Sequence, residues 1–385
     1  MRPNAAFADN TPHRTIAWPL ALVYMVLIVF ASLFPFDGWR TQGISPAEFL
    51  LAPIPPPYWT KFDVIINVIG YAPLGFLLSL GWWHGGWRKT GWLWAALVGA
   101  LLSLCMEFLQ IFLPQRVSSN MDWLLNGLGT LLGAVLPPLL AWAGVLRRWA
   151  DVRERWFVPE ARGALVLLLL WPLALLFPPP LPFGLGQVFD RVEMWMVDVL
   201  ENTAFEQWLP NFMQATEPLS PVGELMGVLL GLLIPCWLAF SVMKDMTRRM
   251  VVVALIVLGG IGVSALSAAL SYGPGFAWDW LGMTTRMGIA LAAGLALLQV
   301  GLPRRLCVLL LLVGGMVYVN LLNLAPPSPY YANALQSWEQ GRFVRFFGLS
   351  QWLSWSWPFA VLAYALLQLA RLPADALARR NQGAA

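Results

Sequence analysis

Charge is what this 385-residue chain has least of. Only 11% of its residues are Asp, Glu, Lys or Arg, against 59% hydrophobic. Soluble domains carry about 25% charged residues, so this balance excludes an ordinary water-soluble enzyme and describes a polytopic membrane protein. Cysteine is nearly as scarce. Cys105, Cys236 and Cys307 each sit alone in an apolar run. No Cys-x-x-Cys or Cys/His spacing exists, so neither a disulfide framework nor a zinc site is expected, and the thiols read as buried packing groups. Histidine is limited to His13 and His84. No glycine-rich phosphate loop or dinucleotide fingerprint occurs. No cofactor, metal site or nucleic-acid partner is expected.

Long apolar runs are plentiful. A helix needs about 20 apolar residues to cross a bilayer. Ten stretches qualify: 16–36, 62–83, 92–113, 121–145, 165–183, 222–242, 250–270, 280–302, 306–324 and 353–369. The sequence therefore predicts an all-α transmembrane bundle of about ten spans. Pro178-Pro179-Pro180 cuts into the fifth. The first is too long, and lacks a small-residue cleavage site, to be a signal peptide. The run divides into a four-span region at 1–150, a basic loop, fifth span and outer loop at 151–221, and a membrane region of about five spans at 222–385.

Lys and Arg favour cytoplasmic loops. With the N-terminus inside, each inner segment is basic, including Arg88-Lys89, the five arginines from Arg147 to Arg162, Lys244 with Arg248-Arg249, and Arg304-Arg305. This predicts a multi-pass protein of the bacterial cytoplasmic membrane with both termini cytoplasmic. Both histidines then face the cytoplasm, which removes the base that an outward Ser–His or histidine-dependent phosphatase chemistry would need. The outer loop 184–221 predicts an amphipathic helix from Val188 to Leu200, and 343–357, dense in Phe and Trp, an interfacial or re-entrant piece.

Two polar clusters interrupt the greasy background on the predicted outer side. The first holds Lys61, Asp63, Asn67, Gly70, Tyr71, Pro73 and Gly75. The second holds Glu107, Gln110, Pro114, Arg116, Asp122, Asn126, Gly129 and Gly133. Each has an Asp followed four residues later by an Asn, which share a helix face. Glu107, one or two turns inside the third span, needs a partner or a wet cavity and is a functional candidate by default. Arg116 on the following hairpin suits bidentate oxyanion binding. Taken singly, Asn67, Gln110 and Asn126 also read as hydrogen-bond glue between helices, and Gly129-x-x-x-Gly133 as a close-packing motif.

The stretch from Lys61 to Val135 resembles the VanZ-like family of bacterial membrane proteins. The likeness rests on Asp63, Asn67, Gly70, Tyr71, Pro73, Leu74 and Gly75, then on Glu107-x-x-Gln110, Pro114-x-Arg116, Asp122-x-x-x-Asn126, Gly129 and Gly133. It implies a cell-envelope protein, since the family includes a member that raises teicoplanin resistance. Three functional readings follow. In the first, the protein binds or handles a lipid-linked envelope intermediate, with Arg116, Lys61, Asn67, Gln110, Asn126 and Tyr71 holding a polyprenyl-phosphate or glycolipid headgroup among membrane lipids. In the second it is an enzyme, with Glu107 as general base and Asp63 or Asp122 on a metal or hydroxyl. In the third it is a lipid transporter.

A short internal repeat adds a last expectation. Asp122-Trp123-Leu124 recurs as Asp279-Trp280-Leu281, an offset of 157 residues. The offset sets Ser264 where Glu107 stands and Gly273 where Arg116 stands. Spans one to four and five to eight then read as two parallel copies, with the polar site kept in the first and erased in the second. Asp279 and Arg286 read as a structural ion pair.

Overall fold

A computed structural model describes residues 15–34, 36–56, 59, 61–179, 181–200, 203, 219–324 and 344–382. Among them helices are the only extended secondary structure, with a lone β-bridge between Phe157 and Met243. Seven helices are long and apolar enough to cross a membrane, and three shorter apolar helices, Ala17–Leu33, Arg162–Ala174 and Met283–Leu298, accompany them. Each of the ten expected apolar runs contains one of these helices, seven of them long enough to span, and the polytopic helical bundle read from the sequence stands. The chain divides into two compact units, Met1–Val152 and Arg153–Ala385.

Unit 1 contains α1 (Ala17–Leu33), a short α2 (Pro46–Leu51), α3 (Lys61–His84), α4 (Gly91–Gln110), α5 (Asn120–Trp142) and most of α6 (Val145–Trp156). The polar helix α6 carries the boundary. Helix α3 lies along α5, α4 packs on both, and α1 packs on α3 and α4. The core is built from Ala21, Leu74, Leu78, Ala95, Leu113 and Ala134. Small residues set the spacing. A Cβ at Gly75, Gly129 or Gly133 would fall less than 3.0 Å from backbone atoms of the facing helix. This is the close approach expected of glycines four residues apart.

The segment between α1 and α3 is folded. Ser45 accepts from the Glu48 amide, the Glu48 carboxylate accepts from the Ser45 amide, and Pro46 opens α2. This is a capping box with proline at the first helical position. The Ser45 backbone bond, then the Ser45 hydroxyl, hold the Glu48 carboxyl below its ordinary value. A carboxyl lowered in the folded state supports the fold above its unfolded pKa and loses that support as pH falls through the folded one. Amide protection at Ser45 and Glu48, measured relative to the intrinsic exchange rate at each pH, should therefore fall on acidification through that lowered value, and Glu48→Gln should flatten the dependence.

Unit 2 holds α7 (Arg162–Ala174), α8 (Phe189–Leu200), α9 (Pro221–Phe240), α10 (Met246–Tyr272), α11 (Met283–Leu298), α12 (Arg304–Asn323) and α13 (Val344–Gln382). Every residue of α9 from Gly227 to Phe240 is buried. A helix that is hydrophobic all round belongs at the centre, and α9 packs on α7, α10, α11 and α12.

Four expectations change. The run 165–183 is not one helix: α7 stops at Ala174, and residues 175–179 and 181–187 continue as mostly buried, non-helical chain. Such backbone survives at membrane depth only where protein groups satisfy it. The Ser267 hydroxyl donates to the Leu176 carbonyl, Tyr318 bonds the Phe183 carbonyl and the Leu185 amide, and Asn323 bonds Gly186, Val188 and Phe189. The aromatic piece at 343–357 is, from Val344 on, the beginning of α13. Cys105 is exposed on α4, while Cys236 and Cys307 are buried as expected. Asp279 and Arg286 form no ion pair; Arg286 donates from Nε to the Leu281 carbonyl. The expected amphipathic helix is α8, whose first amides bond the Asn323 side chain. Residues 204–218 of that loop lie outside the described residues.

Candidate functional site

The site in unit 1 gathers where α1 and α4 end and α3 and α5 begin. Glu107 stands one turn before the end of α4 and is 4% exposed. Its Oε2 accepts from the Ser119 amide at 2.8 Å. Ser119 is the N-cap of α5 and also accepts from the Asp122 amide. One residue thus ties the buried carboxylate to the head of the next helix.

Beneath Glu107 lies a buried polar group of residues. Asn126 donates from Nδ2 to the Ser103 hydroxyl at 2.9 Å, and its backbone carbonyl accepts from Thr130. The Asn126 Oδ1 is buried without a hydrogen-bond partner. The Tyr71 hydroxyl faces those of Ser103 and Ser32 and lies in the field of Glu107, yet no hydrogen bond of good geometry closes on it. Buried polar atoms are normally satisfied. Two such atoms beside a carboxylate mark a place built for a further polar group. Gln110 donates to the Ser32 carbonyl at 2.9 Å and closes the α1 side.

The remaining sequence candidates stand differently. Asp63 and Asp122 are half-buried in the first turns of α3 and α5, where a carboxylate complements the positive helix end. Lys61 is exposed at the start of α3. Asn67 is half-buried, and no hydrogen bond closes on its side chain among the described residues. Arg116 donates to the Ala31 and Phe34 carbonyls at the end of α1. A cation there satisfies the orphan carbonyls and the negative pole of the helix, so this arginine holds α1 in place beside the site.

Sequence reasoning missed the cover. Asn120, 4% exposed, donates to the Ala52 carbonyl at 2.7 Å and fastens the end of α2. Phe49 is buried against Phe108, with ring centroids 5.4 Å apart. Gln42 and Arg40 bond the Ile111 and Phe112 carbonyls at the end of α4. Residues 36–52 therefore lie over the α4–α5 turn. The Ser45-Pro46-Ala47-Glu48 spelling was the legible signal for this cap.

These features define a class: a multi-pass helical membrane protein with a carboxylate buried near one end of a four-helix group. Its N-terminal region is VanZ-like. Residues 17–141 match the VanZ/LLP1 family model, about a third of the chain, and the match includes α1. No curated protein and no solved structure matches the chain.

Proposed function

We propose that unit 1 binds the polar head of a lipid-linked envelope intermediate, at the outer face of the bacterial cytoplasmic membrane. The observation that carries this reading is the buried Glu107 beside the unsatisfied Asn126 Oδ1 and Tyr71 hydroxyl. A carboxylate, a phenol and an amide, all hydrogen-bonding, suit hydroxyl and amide groups of a sugar-bearing head better than a bare phosphate. The phosphate then belongs at the rim, near Lys61, while Arg116 acts mainly by fixing α1. The orientation follows from the basic turns, with Arg88 and Lys89 between α3 and α4 facing the cytoplasm. Binding such a lipid would alter access to precursors that glycopeptides of the teicoplanin kind recognise.

The test uses the full chain in nanodiscs, with a polyprenyl phosphate and the same lipid carrying one N-acetylated sugar. Native mass spectrometry should show preferential retention of the sugar-bearing lipid. Glu107→Gln keeps an acceptor for the Ser119 amide, so the fold should survive. Retention should fall at least about tenfold, since charge-assisted hydrogen bonds are the strong ones. Equal retention by both proteins, at unchanged melting temperature, would sink the assignment. A cysteine placed at Ser45 should react with an impermeant thiol reagent from outside intact cells, and one at Lys89 should not.

A further inference from the structure

Unit 2 contains a cavity of about 530 Å³ at the end where α9 begins, α10 ends and α11 begins. It is lined by Glu224, Asp279, Ser264, Ser267, Trp280 and Thr285, with the non-helical chain after α7 forming one wall. Among the described residues no Lys or Arg lines it. Glu224 occupies the first turn of α9, and Asp279 the turn before α11. Among the described residues neither carboxylate has a hydrogen bond or ion-pair partner.

A pair of carboxylates alone would say little. The independent sign is Ser264, which is 9% exposed and lines the cavity with no hydrogen-bond partner for its hydroxyl. Two other hydroxyls that line the cavity are committed: Ser267 donates to the Leu176 carbonyl and Thr285 to the Trp280 carbonyl. The Trp280 ring is fixed by its Nε1 bond to the Ala277 carbonyl and by an edge contact with Phe183 at 5.7 Å.

The position of this cavity in the chain is informative. Shifting α3, α4 and α5 by the 157-residue offset gives 218–241, 248–267 and 277–299, which overlap α9, α10 and α11. The same shift carries Asn67 to Glu224, Glu107 to Ser264, Gln110 to Ser267 and Asp122 to Asp279. All four target residues line the cavity. The second copy has therefore not lost its acidic character. Its carboxylate has moved from the α4 position to the α3 position, and the buried acid has become an unpartnered hydroxyl.

We propose that this cavity is a second binding site, and that it takes a ligand bearing an ammonium group. Two carboxylates with no internal cation supply the counter-charge, an indole face attracts a cation, and the Ser264 hydroxyl accepts one N–H. A divalent metal fits less well, because no group of three or more metal-binding side chains occurs among the described residues and hard cations take six or more oxygens. The source of the ammonium is either an aminated lipid headgroup or a soluble amine. The proposal stands on unit 2 alone, so it survives if the unit 1 reading fails.

The experiment uses the full chain. In one arm, nanodiscs contain equal phosphatidylethanolamine and phosphatidylglycerol, and native mass spectrometry reads the lipid retained. In the other, calorimetry in detergent titrates ethanolamine and spermidine. Ammonium-bearing ligands should bind in at least one arm, and which arm responds identifies the source. The Glu224→Gln/Asp279→Asn double variant should weaken binding at least about tenfold. Ser264→Val, which fills the space without altering charge, should weaken it too, at a melting temperature close to the parent's. Glu107→Gln should leave this binding unchanged. No ammonium preference in either arm, undiminished binding by the double variant, or saturation by Mg²⁺ or Ca²⁺ in place of amines would each overturn the proposal.

Discussion

Arg249→Ala is expected to destabilise unit 2 by about 3–5 kcal/mol, the range for stripping one partner from a buried charged network, and to lower its melting temperature by about 10 °C. The reason is a clamp. Arg249 is 8% exposed in the first turn of α10. One terminal nitrogen donates to the Val300 and Leu302 carbonyls, both at 2.8 Å, and the other to Phe240 and Met243, at 2.9 and 3.0 Å. The guanidinium also lies over the Phe240 ring. Those carbonyls stand at the C-terminal ends of α9 and α11, where helix dipoles are negative and acceptors are orphaned. The arginine thus substitutes for water at two buried helix ends. Removing it leaves four carbonyls without donors, and each buried unsatisfied group costs about 1–3 kcal/mol. Arg249→Lys should recover only part of the loss, because an ammonium cannot bond two pairs of acceptors in a planar fork. The neighbouring Arg248→Ala is the control. Arg248 pairs with Asp245 at 3.6 Å, partly exposed, and stacks on Trp156. Exposed ion pairs contribute about 0–1 kcal/mol. Thermal unfolding of the three variants in one detergent should rank them Arg248→Ala, Arg249→Lys, Arg249→Ala, from mildest to most severe.

The two adjacent arginines show where sequence reading stops. Both count equally towards the basic inner segments, and nothing local distinguishes the exposed one from the buried clamp. The difference lies in what α9 and α11 present to them, which is tertiary. The same division runs through the molecule. Bilayer-length apolar runs are local, and nine of the ten emerged as helices along most of their length, the fifth only in its first half. The acidic and amide stripes of α3, α4 and α5 are periodic, and they set Asp63, Asn67, Glu107, Asp122 and Asn126 facing one another; that Tyr71 joins Glu107 and Asn126 in the buried group is tertiary. Arg116 looked like an oxyanion rim because its hairpin position is local, whereas its carbonyl partners lie more than 80 residues away on α1. Leu165–Phe183 passed as a span because burial alone makes a stretch apolar. Only Tyr318, Asn323 and Ser267 reveal that its second half is held as open chain. At the 157-residue offset, substitution at Glu107's counterpart suggested an erased site. The carboxylate at Asn67's counterpart was visible in the sequence, but only the shared cavity gives it a meaning.

On the binding proposed for unit 1, Gly133→Val is expected to abolish headgroup retention while touching none of the polar residues assigned to it. Helices α3 and α5 meet backbone to backbone. A Cβ at Gly133 would overlap the Ala72 carbonyl, one at Gly129 the Val68 carbonyl, and one at Gly75 the Thr130 carbonyl, each at less than 3.0 Å. These are main-chain atoms of packed helices, so no rotamer change relieves the clash and the pair must separate along its length. Overpacking of a tight interface costs about 1–3 kcal/mol and more where backbone must move. Separation also acts on the site. Tyr71 adjoins Ala72 on α3, and Asn126 lies one turn before Thr130 on α5. Widening that seam withdraws the phenol and the amide from Ser103 and Glu107 on α4. The expected outcome is a lowered melting temperature together with loss of lipid retention, and Gly129→Val should behave alike. Gly127→Ala is the sharp comparison on the same helix. Its Cβ would meet only the Ala100 Cβ, at 3.8 Å, an ordinary contact. Relieved of glycine's entropy cost, that variant should be neutral or more stable by about 0.4–1 kcal/mol and should keep its lipid. If Gly133→Val and Gly127→Ala melt and bind alike, the α3–α5 seam does not set the geometry of the site.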